Sequence, residues 1–112
     1  MIRLLLEGFQ VNEIKLSSLI TTLEEAKQYG DIEPVNQFKR TLEKIISKAM
    51  EKRHRIFFLI EKLEDPIIKQ IFYSRFIDDK SNAAISKELG YSINHISKKI
   101  RKGIEELEKL EE

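Results

Sequence analysis

Apolar residues recur along this chain in steps of three and four, so the pattern predicts helices throughout. Ile14, Leu16, Leu19, Ile20, Leu23 and Ala26 predict a first long helix over Glu13 to Tyr29. Gly30 closes it, as a glycine just past a helix end commonly does. Asp31-Ile32-Glu33-Pro34 is the connection, with Pro34 suited to the first turn of the next helix. From Val35 onward, Phe38, Leu42, Ile45, Ala49, Lys52, Ile56, Leu59 and Leu63 alternate steps of four and three. That is a coiled-coil-like seam with Lys52 as its one polar break. The short connection predicts an antiparallel hairpin. The opening Met1 to Gln10 is apolar and ambiguous, either a short helix or an arm packed on a partner.

Glu64-Asp65-Pro66 ends the long helix, because a residue before proline avoids the helical region. Three shorter helices follow. The first spans about Pro66 to Phe76, with Ile67, Ile68, Ile71, Phe72 and Phe76 as its stripe. Asp78-Asp79-Lys80 is a turn. Ser81 is an N-cap for the second helix, which Gly90 ends. Ser92 caps the third, which carries Ile93, Ile96, Ile100, Ile104, Leu107 and Leu110 inward. A short helix, a glycine-closed turn and a basic helix make a helix-turn-helix pattern. The fold class is therefore all-α, with a helical hairpin over residues 1–62 followed by a three-helix helix-turn-helix domain over residues 63–112.

Composition supports this reading. Of 112 residues, 41% are hydrophobic and 35% charged, a balance for helical packing rather than disorder. The absence of cysteine excludes disulfides, thiolate metal sites and cysteine nucleophiles. The opening apolar run is too short for a signal peptide, and no stretch approaches a membrane span, so a cytoplasmic protein without membrane contact is expected.

The net charge of +1 conceals an uneven distribution. Lys80, Lys87, Lys98, Lys99, Arg101 and Lys102 face a single acid, Glu88, between Lys80 and Gly103, so that segment carries +5. Ile104 to Glu112 then carries −4, from five acids and one base. A basic segment in a near-neutral chain is either a solvated helix face or the electrostatic footprint of a nucleic-acid site.

Leu63-Glu-Asp-Pro66, Arg75-Phe-Ile-Asp-Asp-Lys-Ser81 and Ala84-Ile-Ser-Lys-Glu-Leu-Gly-Tyr-Ser92 resemble region four of sigma factors. Ile96, Ile100, Lys102, Gly103, Ile104 and Leu107 continue at that family's spacing. Small phage transcription regulators of the ArpU type are similar, with this module behind a helical N-terminal half. The resemblance runs from Leu63 to Leu107 and leaves Met1 to Ile60 uncovered. It implies a phage-encoded transcription regulator that binds double-stranded DNA, with RNA polymerase as a second partner in some members. It does not imply a complete sigma factor, since the region reading the start-proximal promoter element has no counterpart. Three positions depart from the family pattern: Gly103 and Ser86 stand where alanine is usual, and Ile93 is more apolar than most residues at the start of a reading helix. A glycine inside a helix costs ~1 kcal/mol, so Gly103 marks either a close helix approach or drift.

The third helix supplies the expected site. Asn94, Lys98 and Arg101 lie opposite Ile96 on a helical wheel, with His95 and Lys102 on the flank. Asparagine can bond adenine in bidentate fashion and lysine can reach guanine acceptors. Asn94, His95 and Lys98 are the expected base contacts. Ser81, Asn82, Lys87, Ser92, Lys99, Arg101 and Lys102 sit at helix starts or flanks, where the phosphate backbone would pass. Ile93 is read chiefly as a packing staple toward the turn, with a thymine methyl as the other option.

Other constellations carry less. His54 and His95 are too few for a histidine metal site, and Asp78-Asp79 reads as turn chemistry rather than a metal site. Arg75 is expected in an inter-helix ion pair, and Tyr29, Tyr73 and Tyr91 as core or edge aromatics. No catalytic constellation or phosphate-cradling loop is present, so neither an enzyme nor a cofactor is expected. The hairpin seam predicts a homodimer. Two functional readings stay open: a DNA-binding transcription regulator, and a module docking on RNA polymerase or another protein without touching DNA.

Overall fold

A computed structural model describes residues Met1–Glu111. The elements are α1 (Ile2–Glu7), α2 (Phe9–Lys27), α3 (Glu33–Glu61), α4 (Pro66–Phe72), a π-helical turn (Tyr73–Ile77), α5 (Asn82–Leu89) and α6 (Ile93–Leu110). The protein is all-α, with no strand among the described residues. None of these helices is long and apolar enough to cross a membrane.

The chain forms two compact units. One is Val11–Arg55; the other joins Met1–Gln10 to the chain from Ile56 onward. The expected single division at residues 62 and 63 thus gives way to an inserted hairpin. The cause is burial at the start of the chain. Ile2, Leu6 and Phe9 share one core with Ile56, Leu59, Ile60 and Leu63. The ambiguous opening segment is therefore a helix, α1, and it packs on its own chain.

In the unit Val11–Arg55, α2 and α3 run antiparallel. The Asn12 side-chain amide donates to the Ala49 carbonyl at 2.9 Å, and Glu13 pairs with Arg53 at 3.1 Å. Gly30 turns the chain at φ +77°, and Lys39 Nζ donates to its carbonyl at 3.3 Å. The seam is not the one the pattern predicts. Leu42 and Ala49 are buried, but Phe38, Ile45 and Lys52 are exposed. Val35, Lys39, Ile46 and Arg53 are half-buried instead, a parallel stripe rotated around α3 that shares Leu42 and Ala49. On α2, Leu16 and Ala26 are buried, whereas Ile14 is 71% exposed and Ile20 39%.

The other unit holds the main core. Asp65 starts α4, its carboxylate accepting from the Ile67 and Ile68 backbone N–H groups at 2.8 and 3.4 Å. Pro66 occupies the first turn, where its missing N–H is harmless. The helix expected to reach Phe76 switches after Phe72 into the π-helical turn, closed by the Asp78 N–H on the Tyr73 carbonyl at 2.9 Å. Phe72 and Phe76 both turn inward across it, edge to face with centroids 5.2 Å apart. Ile68 and Ile71 from α4, Ile85 from α5, and Ile96, Ile100, Ile104 and Leu107 from α6 complete the core.

Gly103 decides how closely α6 lies on α4. A Cβ there would sit 2.6 Å from both Cε1 and Cζ of Phe72 and 2.9 Å from Cγ2 of Ile68. Only a hydrogen fits, so the glycine accommodates a close helix approach at the expense of helix propensity.

Candidate nucleic-acid interface

Local chemistry fixes the segment from Ser81 to Ile96. The Ser81 hydroxyl accepts from the Ala84 N–H at 3.1 Å, starting α5. Gly90 ends α5 in the left-handed region, φ +77°, and its N–H bonds the Ser86 carbonyl at 2.9 Å. The Ser86 hydroxyl donates to the Tyr91 carbonyl, clamping the turn. Serine at this position is thus a fastener that alanine could not replace. Ser92 then caps α6, accepting from the His95 N–H at 3.1 Å. Asn82 Nδ2 donates to Ser97 Oγ at 3.2 Å and ties α5 to α6 directly.

The resulting α6 has two unlike sides. Ile96, Ile100, Gly103, Ile104 and Leu107 are buried, while Asn94, Lys98, Arg101 and Lys102 are exposed. Asn94, Lys98 and Arg101 are stacked three and four residues apart, so their side chains share one face. The positive stretch is short: Glu105, Glu108 and Glu111 are exposed farther along, relieved only by Lys109. Apart from Lys109, the cations of α6 therefore fall in the short stretch Lys98 to Lys102.

The remaining expected contacts distribute unevenly. Ser81, Lys87 and Ser92 are exposed, although both serine hydroxyls accept a capping bond. His95 is half-buried because its ring lies on Tyr91, centroids 4.6 Å apart at 31°. Asn82 is half-buried with its amide on Ser97, so this side chain serves helix packing rather than an open phosphate site. Lys99 is half-buried. It and Lys102 lie close enough to Asp65 to help hold its carboxyl below the usual carboxylate range; the Ile67 backbone bond is the larger cause.

Some neighbouring residues behave unlike their sequence reading. Arg75 lies with its guanidinium 5.6 Å from the Phe76 ring centre instead of in an inter-helix ion pair. Tyr73 donates to Glu61; burial and that bond push its phenol up to about 12. Tyr29 is 69% exposed and lies outside the core, whereas Tyr73 and Tyr91 pack at its edge as expected. Ile93 and Leu110, both expected inward, are 52% and 56% exposed. Lys80 bonds Glu88 at 2.8 Å, which raises the lysine above its ordinary range and spends one of the six segment cations on an acid. Among the described residues, no group of three or more acidic or histidine side chains could hold a metal ion. Sequence reasoning missed Ser97 and the Tyr91–His95 stack. Both depend on how α5 and its turn meet α6, which no single-helix pattern encodes.

Protein-family models, curated proteins and solved structures were compared with the chain, and none matches.

Proposed function

We propose that this protein is a sequence-specific DNA-binding transcription regulator, in which α5, its turn and α6 act as a helix-turn-helix. In this reading α6 enters the major groove with its Ser92 end foremost. Asn94 and Lys98 meet base edges, while Lys87, Lys99, Arg101 and Lys102 flank the phosphates. His95 contributes through the edge its stack on Tyr91 leaves open. The supporting observation is the exposed Asn94–Lys98–Arg101 face set back to back with the buried Ile96, Ile100 and Ile104.

The regulator acts as a homodimer through the Val11–Arg55 hairpin. That unit buries only Leu16, Ala26, Leu42 and Ala49 among its apolar side chains, while Phe38 and Ile45 stay exposed. A pair of helices with so little buried surface is marginal in water, and a second copy supplies the missing apolar area. Two reading helices then require half-sites about one DNA turn apart, roughly 34 Å.

A second reading, docking on RNA polymerase or another protein without DNA contact, draws on the exposed Glu105, Glu108 and Glu111, which could meet a basic partner. Selection from a random-sequence duplex library, followed by gel shift, separates the two. Enrichment of a common sequence that shifts at low protein concentration is the expected result. No enrichment, with no shift at low salt, would leave the docking reading.

A further inference from the structure

Ile93 opens α6 with half of its surface in water, 52% exposed, although isoleucine is among the residues most often buried. The packing staple expected of it is provided elsewhere. Ile96, one turn on, is fully buried, and the Ser86 hydroxyl already clamps the turn through the Tyr91 carbonyl. A helical side chain tilts toward the N-terminus, and at the first position no earlier turn lies beneath it. Ile93 therefore stands at the tip of α6, next in sequence to the exposed Asn94.

We propose that Ile93 is a specificity-determining residue that packs its branched side chain on the 5-methyl group of a thymine in the major groove. This inference rests on the DNA-binding reading given above. Thymine alone among the bases presents an apolar group there. An isoleucine offers no hydrogen bond to the other bases, and against cytosine it would cover the exocyclic amine donor without satisfying it. The side chain thus selects by contact and by exclusion together, at a base position next to the one Asn94 reads.

Uracil is thymine without the methyl and keeps every hydrogen-bonding group, so exchanging the two isolates this contact. The probe is the duplex enriched from the random library by the full chain, with each thymine replaced in turn by deoxyuridine. Binding is read by fluorescence anisotropy. Removing one buried methyl should weaken the wild-type complex about four-fold at a single thymine per half-site, from about 0.8 kcal/mol per buried carbon group. Ile93→Ala should bind the thymine and uracil duplexes alike, with unchanged circular dichroism, whereas Ile93→Val should keep most of the discrimination. The inference is overturned if no thymine in the enriched duplex shows the effect, or if Ile93→Ala retains it. Failure of the library to yield any enriched sequence is a different result, because it removes the DNA-binding reading itself.

Discussion

Replacing Gly103 with alanine sets two opposed effects against each other, and the geometry of α4 and α6 decides between them. In an unobstructed helix the substitution stabilises by ~1 kcal/mol, since alanine loses less backbone freedom on folding. Here the new methyl would lie 2.6 Å from two carbons of the Phe72 ring and 2.9 Å from Ile68. Neither neighbour has room to retreat: Phe72 is fully buried and held edge-on by Phe76, and Ile68 is 3% exposed. Overpacking of this kind costs about 1–3 kcal/mol, and the confined ring places it in the upper half of that range. The net expectation is a loss of ~1–2 kcal/mol. With a urea m-value of about 1–2 kcal/mol/M, the midpoint should fall by roughly 1 M. Tyrosine fluorescence is a suitable probe, because Tyr73 and Tyr91 both pack against this core. Phe72→Leu, which removes the obstructing ring, should relieve the clash, so the double variant should be more stable than the two single losses predict by ~1 kcal/mol. A Gly103→Ala protein more stable than the wild type, or strictly additive effects, would refute the claim that α6 lies so close on α4.

Asn94→Ala and Lys98→Ala should each relax sequence preference by about 1–3 kcal/mol at one base position while leaving the urea midpoint unchanged; competition binding with single-base variants of the enriched duplex reads this. The Tyr73 phenol holds its proton more tightly in the folded chain than in the unfolded one. Its contribution is therefore complete below pH 10 and is lost as pH rises toward about 12. Tyr73→Phe should flatten the alkaline fall in thermal stability relative to wild type, and identical alkaline profiles would exclude the phenol as the cause. Light scattering should find a dimer, and a Phe38→Glu, Ile45→Glu double variant should be monomeric with its helix content retained; a monomeric wild type at high concentration would end the homodimer reading.

The parts of the fold set by neighbouring residues were legible in the sequence. Ser81, Gly90 and Ser92 act on backbone groups within a few residues, and their capping geometry follows from side-chain chemistry alone. The inward stripe Ile96, Ile100, Ile104 and Leu107 was legible because one strong periodicity runs along α6. On α3 two stripes overlap. Leu42 and Ala49 belong to both, and the choice between Phe38–Ile45–Lys52 and Val35–Ile46–Arg53 depends on the angle at which α2 approaches. Sequence periodicity contains no term for that angle. The π-helical turn was hidden because the local pattern does not distinguish it: Phe72 and Phe76, four residues apart, would share a face in an unbroken α-helix as well. At the candidate site, the exposed face of α6 was legible and the occupation of Asn82 by Ser97 was not. Gly103 was visible only as an anomaly, and its explanation required knowing where Phe72 lies.

The most direct test of the central claim is the salt dependence of DNA binding by the wild type and by Lys102→Ala. Lys102 is exposed on the flank of α6, apart from the base-reading positions. With Lys87, Lys99, Arg101 and Lys102 on phosphates, log affinity should fall with log salt at a slope of roughly −3.6 per bound subunit. Lys102→Ala should flatten that slope by about one unit and weaken all sequences alike. A slope near zero, or one unchanged by the substitution, would contradict the placement of this face on DNA.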